Sequence, residues 1–160
     1  MKSRTIARDR RDMWSQLLLG GLVSFANFGI HALMTGIIIE ATRRTAKRTD
    51  HLHAFFRLTA LLTITMICLM CAHVVEIGIW AAFYGCMSAA PPGITPFEFA
   101  FENYTALGYG EPSAPAGKRL IGPITSLNGL LLIGWSVAII FEVMRMAEIQ
   151  IARLEEKDES

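Results

Sequence analysis

Three apolar blocks constrain this chain more than anything else in it. They run from Trp14 to Ile39, from Phe55 to Tyr84 and from Leu120 to Ala147. Each exceeds the roughly 20 residues a helix needs to cross about 30 Å of hydrocarbon. The composition, 52% hydrophobic with a mean hydropathy of +0.40, is concentrated in these blocks rather than spread as a soluble core would spread it. Charge is concentrated outside them, as the cost of ionised groups in lipid requires. The pattern predicts an all-α membrane protein with three transmembrane helices per chain, surrounded by membrane lipid. A net charge of +1 gives no reason to expect a polyanionic partner, nucleic acid included.

Residues 1–13 are basic, with Lys2, Arg4, Arg8, Arg10 and Arg11 against Asp9 and Asp12. They resemble the start of a signal peptide, but the following run is longer than a signal core and shows no small-x-small cleavage site. It reads as a retained first transmembrane helix, 14–39, with Trp14 at the interface. Gly20, Gly21, Gly29 and Gly36 permit close helix contacts. Asn27 and His31, four apart, share a face, and make either an inter-helix hydrogen-bonding pair or a polar site in the membrane. Residues 40–54 complete an N-terminal segment, 1–54, as a polar connection. Its Arg43, Arg44, Lys47 and Arg48 read as cytoplasmic by the positive-inside rule. Three spans with a cytoplasmic C-terminus then put the basic N-terminus outside, against the same rule. We read the cluster at 43–48 as the dominant signal.

The second block is an outer helix, 55–84, with Trp80 and Tyr84 at its outer interface. His73 and Glu76 lie at i, i+3 in its outer half. They form an intramembrane polar pair that either responds to pH or braces a neighbouring helix by hydrogen bonding. Cys68, Cys71 and Cys86 give no disulfide framework. Cys68-x-x-Cys71-x-His73 lacks the further ligands a zinc site draws from a turn or second element, and reads as packing residues on a helix. Cys86 reads as a free thiol, the alternative being a bridge between subunits. The chain shows no nucleophile–base pair, no phosphate loop after a strand and no metal-ligand set, so we expect neither an enzyme nor a cofactor.

Between the second and third blocks, Pro91, Pro92 and Gly93 mark a turn-rich linker. Thr95-Pro96-Phe97-Glu98 then supplies an N-cap, a proline at the first helical position and a glutamate at the third. The helix that starts there, 95–106, has only about ten residues, roughly 15 Å, before Leu107-Gly108-Tyr109-Gly110 breaks it. Two glycines flank a tyrosine, so the backbone there can adopt conformations most residues resist. A half-length helix followed by extended backbone is tolerated at membrane depth only where it is buried or lines water. This is the pattern of a re-entrant loop whose helix aims its negative C-terminal end inward, favouring cations. Carbonyl oxygens turned toward one axis can replace the water shell of a monovalent cation.

Thr105-Ala106-Leu107-Gly108-Tyr109-Gly110, after that capped half-helix and between two spans, resembles the filter of the potassium-channel pore family, Thr-Val/Ile-Gly-Tyr-Gly. His73-Val74-Val75-Glu76-Ile77 with Trp80-Ala81 extend the likeness. So do Arg119-Leu120-Ile121-Gly122-Pro123, Asn128-Gly129 and Gly134-Trp135-Ser136. Together they look like small bacterial ion-channel proteins of the two-helix pore superfamily, here with one extra N-terminal transmembrane helix. The resemblance implies a pore domain, 55–147, with pore helix 95–106, selectivity-filter loop 105–110 and inner helix 120–147, then a cytoplasmic tail, 148–160. It implies a bacterial cell membrane, no soluble partner, and a homotetrameric channel, because one loop cannot surround an ion. It also implies passive potassium conduction, with K+ held by the carbonyls of Ala106, Leu107, Gly108 and Tyr109.

Ala106 departs from the family, which usually has threonine there, so the innermost site lacks a hydroxyl oxygen. Glu102 and Glu111 are the candidates for filter support. Either they share a proton behind the filter, or Glu111 is solvated at the mouth and concentrates cations. Gly129 and Gly134 either hinge a gating inner helix or let helices pack closely. Ile140, Met144, Ala147, Ile151 and Leu154 have heptad spacing, which would extend the inner helix into a short cytoplasmic bundle. Neither of the first two spans carries the regularly spaced arginines of a voltage sensor. Two alternatives stand beside the potassium channel: a non-selective monovalent cation channel on the same scaffold, and a non-conducting membrane assembly subunit.

Overall fold

The structure, a computed structural model, describes residues 2–49, 53–108 and 114–158, with side chains described over 10–49, 53–108 and 114–149. Among the described residues the chain is all helical: α1 (Lys2–Arg48), α2 (Ala54–Cys86), α3 (Pro96–Thr105) and α4 (Ile121–Asp158). Arg10–Arg48, Ala54–Cys86 and Ile121–Ile149 are each long and apolar enough to cross a membrane. The chain is thus a multi-pass membrane protein.

Two helices run past the ends of their apolar blocks. The polar connection at 40–54 is largely helix, because α1 continues to Arg48. Arginine, lysine and alanine favour helix, Arg44 pairs with Glu40 one turn back at 2.7 Å, and Lys47 and Arg48 occupy the last turn, where cations meet the negative end of the helix dipole. At the other end of the chain, the expected tail continues α4 to Asp158, with Arg145 on Glu142 at 2.6 Å.

The chain divides into two compact units. The first comprises Met1–Ile30 and Val74–Ile133. Its core is built from Ile77, Trp80 and Tyr84 of α2, Phe99, Ala100 and Tyr104 of α3, and Ile121 and Leu132 of α4, with Val23 and Phe28 of α1 packed against them. Where α2 ends, the Lys118 ammonium donates to the carbonyls of Met87 and Ser88. It thereby satisfies carbonyls that a helix end leaves unpaired. The Leu120 N–H donates to Gln16 Oε1 at 3.0 Å, so α4 begins beside the first third of α1. Among the described residues a Cβ on Gly20 would stand 3.1 Å from Ile124, whereas one on Gly21, Gly29 or Gly36 would meet nothing within 4 Å.

The second unit comprises His31–His73 and Gly134–Ser160. Leu61, Val143 and Ala147 form its apolar core, with Ala46, Leu58, Leu62 and Ile139 around them. Ala147, a member of the expected heptad seam, is thus used inside the chain. His31 stacks near His73, with ring centroids 5.7 Å apart, and meets Trp135 edge-on at 5.2 Å. His73 Nε2 lies 2.9 Å from Ser136 Oγ.

Candidate functional site

The candidate site is the C-terminal end of α3 with Ala106, Leu107 and Gly108 after it, and these described residues lie in the first unit. Its construction begins at the other end of α3. Thr95 sits in extended backbone and its hydroxyl accepts from the Glu98 N–H at 3.2 Å. In return the Glu98 carboxylate accepts from the Thr95 N–H at 2.9 Å and from its hydroxyl at 2.7 Å. The hydroxyl bond, then the backbone bond, holds the Glu98 carboxyl below the usual carboxylate range. Pro96 fills the first turn, where a missing N–H removes nothing the helix needs.

The helix ends at Ala106, which is left-handed at φ 56° and ψ 26°. Its N–H donates to Asn103 O at 3.1 Å, and the Leu107 N–H donates to Glu102 O at 3.3 Å. Gly108 is again left-handed, at φ 55°, while Leu107 between them has no positive φ. Left-handed torsions cost an alanine roughly 1–2 kcal/mol and glycine almost nothing. The fold imposes this geometry on Ala106 through the two closing hydrogen bonds.

The back of α3 is held at Tyr104, which is 1% exposed. Its hydroxyl donates to Glu76 Oε2 on α2. Its backbone lies against Gly129 of α4: a Cβ on Gly129 would fall 2.0 Å from Tyr104 O. One residue earlier, Asn103 O accepts from Ser126 Oγ at 2.7 Å. Tyr84 meets Thr125 through its hydroxyl at 2.9 Å and Phe99 ring to ring at 5.0 Å.

Behind Tyr104 lies a buried polar lattice that links α1, α2 and α4. The Trp80 indole N–H donates to Asn128 Oδ1 at 2.8 Å. Asn27 Nδ2 donates to the same oxygen at 3.2 Å and to the backbone carbonyl of Glu76 at 3.3 Å. Asn128 Nδ2 donates to Ser24 O at 3.4 Å. Asn27, Glu76, Trp80 and Asn128 are all buried.

Thr105 is the last residue of α3, and Ala106, Leu107 and Gly108 follow it. Tyr109, Gly110 and Glu111 lie outside the described residues, and so does any pairing of Glu111 with Glu102. Glu102 itself is half-buried on α3. Gly129 makes a backbone contact, whereas Gly134 has nothing within 4 Å. Glu76 reaches Tyr104, and His73 in the second unit reaches Ser136. Trp80 and Tyr84 are both 0% exposed, with their polar atoms on Asn128 and Thr125. Neither Cys68 nor Cys71 joins a cluster of ligand-type side chains among the described residues. The roles of Asn128, Ser126 and Lys118 were not read from the sequence. The available signal was a polar side chain inside an apolar block at 126 and 128, and a lysine close after the loop at 118.

Comparison with family models, with curated proteins and with solved structures finds no match to this chain.

Proposed function

We propose that the protein is a homotetrameric potassium channel in which α3 is the re-entrant pore helix and residues 105–110 line the ion path. One observation carries the reading most directly. A capped ten-residue helix, too short to cross a bilayer, ends in backbone that is left-handed at Ala106 and Gly108 but not at Leu107. Torsions that alternate in hand turn successive peptide planes the same way, gathering N–H groups on one edge of the chain and carbonyls on the other. Such a carbonyl edge is the surface a dehydrated monovalent cation needs. The negative end of α3 adds to the attraction.

Exposed apolar side chains of the first unit support assembly. Phe97 and Phe101 on α3, Leu107 after it, and Leu127, Leu130 and Leu131 on α4 are all exposed in the single chain. A half-helix and an open loop at membrane depth must be covered by protein or line water. Copies of this chain around a four-fold axis would cover these faces and complete the ion path.

Ala106 favours one second reading, a non-selective cation channel, because the innermost site has a carbonyl and no hydroxyl. Native mass measurement of the detergent-purified protein tests the assembly. A particle of four times the 17.7 kDa chain mass is the expected result. A monomer would contradict both channel readings and leave the assembly subunit.

A further inference from the structure

We propose that Asn27 is a positioning residue for the end of α3, so that the N-terminal helix takes part in holding Ala106–Gly108. The consequence for ion selectivity rests on the channel reading above; the coupling itself does not.

The orientation of each amide in the lattice follows from one group. The Trp80 indole N–H can only donate, so the Asn128 atom 2.8 Å from it is the oxygen. Asn128 Nδ2 then faces Ser24 O. With Asn128 Oδ1 an acceptor, Asn27 must present its NH2 group to it, and the same NH2 group donates to Glu76 O. Flipping Asn27 would set its oxygen against two acceptors. Asn27 keeps this orientation although its own Oδ1, buried, has no hydrogen-bond partner among the described residues. The side chain is therefore placed for what it donates.

Both acceptors lead to Tyr104. Asn128 precedes Gly129, whose Cα lies against the Tyr104 backbone. Glu76, whose carbonyl Asn27 engages, receives the Tyr104 hydroxyl on its carboxyl group. One NH2 group on α1 thus ties together the two elements that grip Tyr104 from its backbone side and from its ring side. Tyr104 stands two residues before the left-handed Ala106. Loss of the NH2 group frees α2 and α4 to shift relative to each other at that grip, and the closing bonds from the Ala106 and Leu107 N–H groups loosen with it.

The test uses the full chain in lipid vesicles. Asn27→Leu keeps the number and branching of the side-chain heavy atoms and removes both donated bonds. Leu22→Ala, on the same helix at a side chain 69% exposed, is the control. The first readout is hydrogen exchange at the amides of Ala106 and Leu107, which needs no ion flow. The second is the potassium-over-sodium permeability ratio. Asn27→Leu is expected to speed exchange at those two amides about tenfold, the order of one net hydrogen bond, without speeding exchange through the middle of α2 and α4. It is also expected to lower the permeability ratio several-fold, and Leu22→Ala to do neither. Asn27→Gln, which retains an NH2 donor, should restore part of the protection. Should Asn27→Leu fail to fold, Asn27→Ser is read in the same assay with the same expectation. Exchange unchanged at Ala106 and Leu107, exchange raised equally along all helices, or an unchanged ratio in a conducting protein would each overturn the proposal. Faster local exchange in a protein that passes no ion in any form supports the coupling and counts against the channel reading alone.

Discussion

A Cβ on Gly129 would fall 2.0 Å from the Tyr104 carbonyl oxygen and 2.8 Å from its carbon, distances at which backbone must move. Gly129→Ala is therefore expected to push α3 off α4 and to lower stability by about 1–3 kcal/mol, the usual cost of overpacking a close contact. Gly134→Ala meets nothing within 4 Å, and should raise helix stability by about 1 kcal/mol, the propensity difference between the two residues. Thermal melts of the two variants in one detergent compare them directly; equal behaviour would remove the contact at Gly129 from the explanation. The two glycines sit five apart in one apolar block, and nothing local separates them. The difference arises from a chain segment 25 positions before Gly129, which is why hinge and close contact could not be told apart from the sequence. The same non-locality hid Asn128, whose partners Asn27 and Trp80 come from two other helices.

At the scale of elements, α3 was the most legible because its limits are set locally. Thr95, Pro96 and Glu98 start it, and the Gly108 region ends it, within one residue of the expected bounds at each end. Thr95→Ala should cost about 0.5–2 kcal/mol of stability through loss of the cap, measured by chemical denaturation. The Glu98 contribution has a definite sign with pH. Its carboxyl is held below the usual range by Thr95, so the stabilisation is present in full above that range. It is lost as pH falls through the lowered value of the folded protein. The melting-temperature advantage of the wild type over Glu98→Ala should therefore persist at neutral pH and shrink in acid; an advantage that grew in acid would contradict the capping geometry. The end of α1 was less legible because a run of arginine and lysine marks a membrane side as readily as it marks a solvated helix end. Trp80 and Tyr84 carry amphipathic rings that suit a membrane interface and equally suit a buried position with one hydrogen-bond partner, which is how the chain holds them.

For the whole molecule, three spans and their order were legible because the bilayer imposes a length that composition alone can meet. Gln16 of α1 beside Leu120, which precedes α4, ties the first and third spans together near one end. Assembly enters only through the proposed channel, in which one loop would not enclose an ion. The most direct measurement is cation flux into vesicles holding the purified protein, driven in parallel by potassium and by sodium gradients, with barium added as a blocker. A potassium channel gives uptake driven by potassium, little driven by sodium, and block by barium. Equal uptake of both ions would contradict potassium selectivity and place the defect at Ala106, with Ala106→Thr as the variant expected to restore it. The absence of any uptake by an assembled tetramer under both gradients, across a range of pH and membrane tension, would contradict conduction itself.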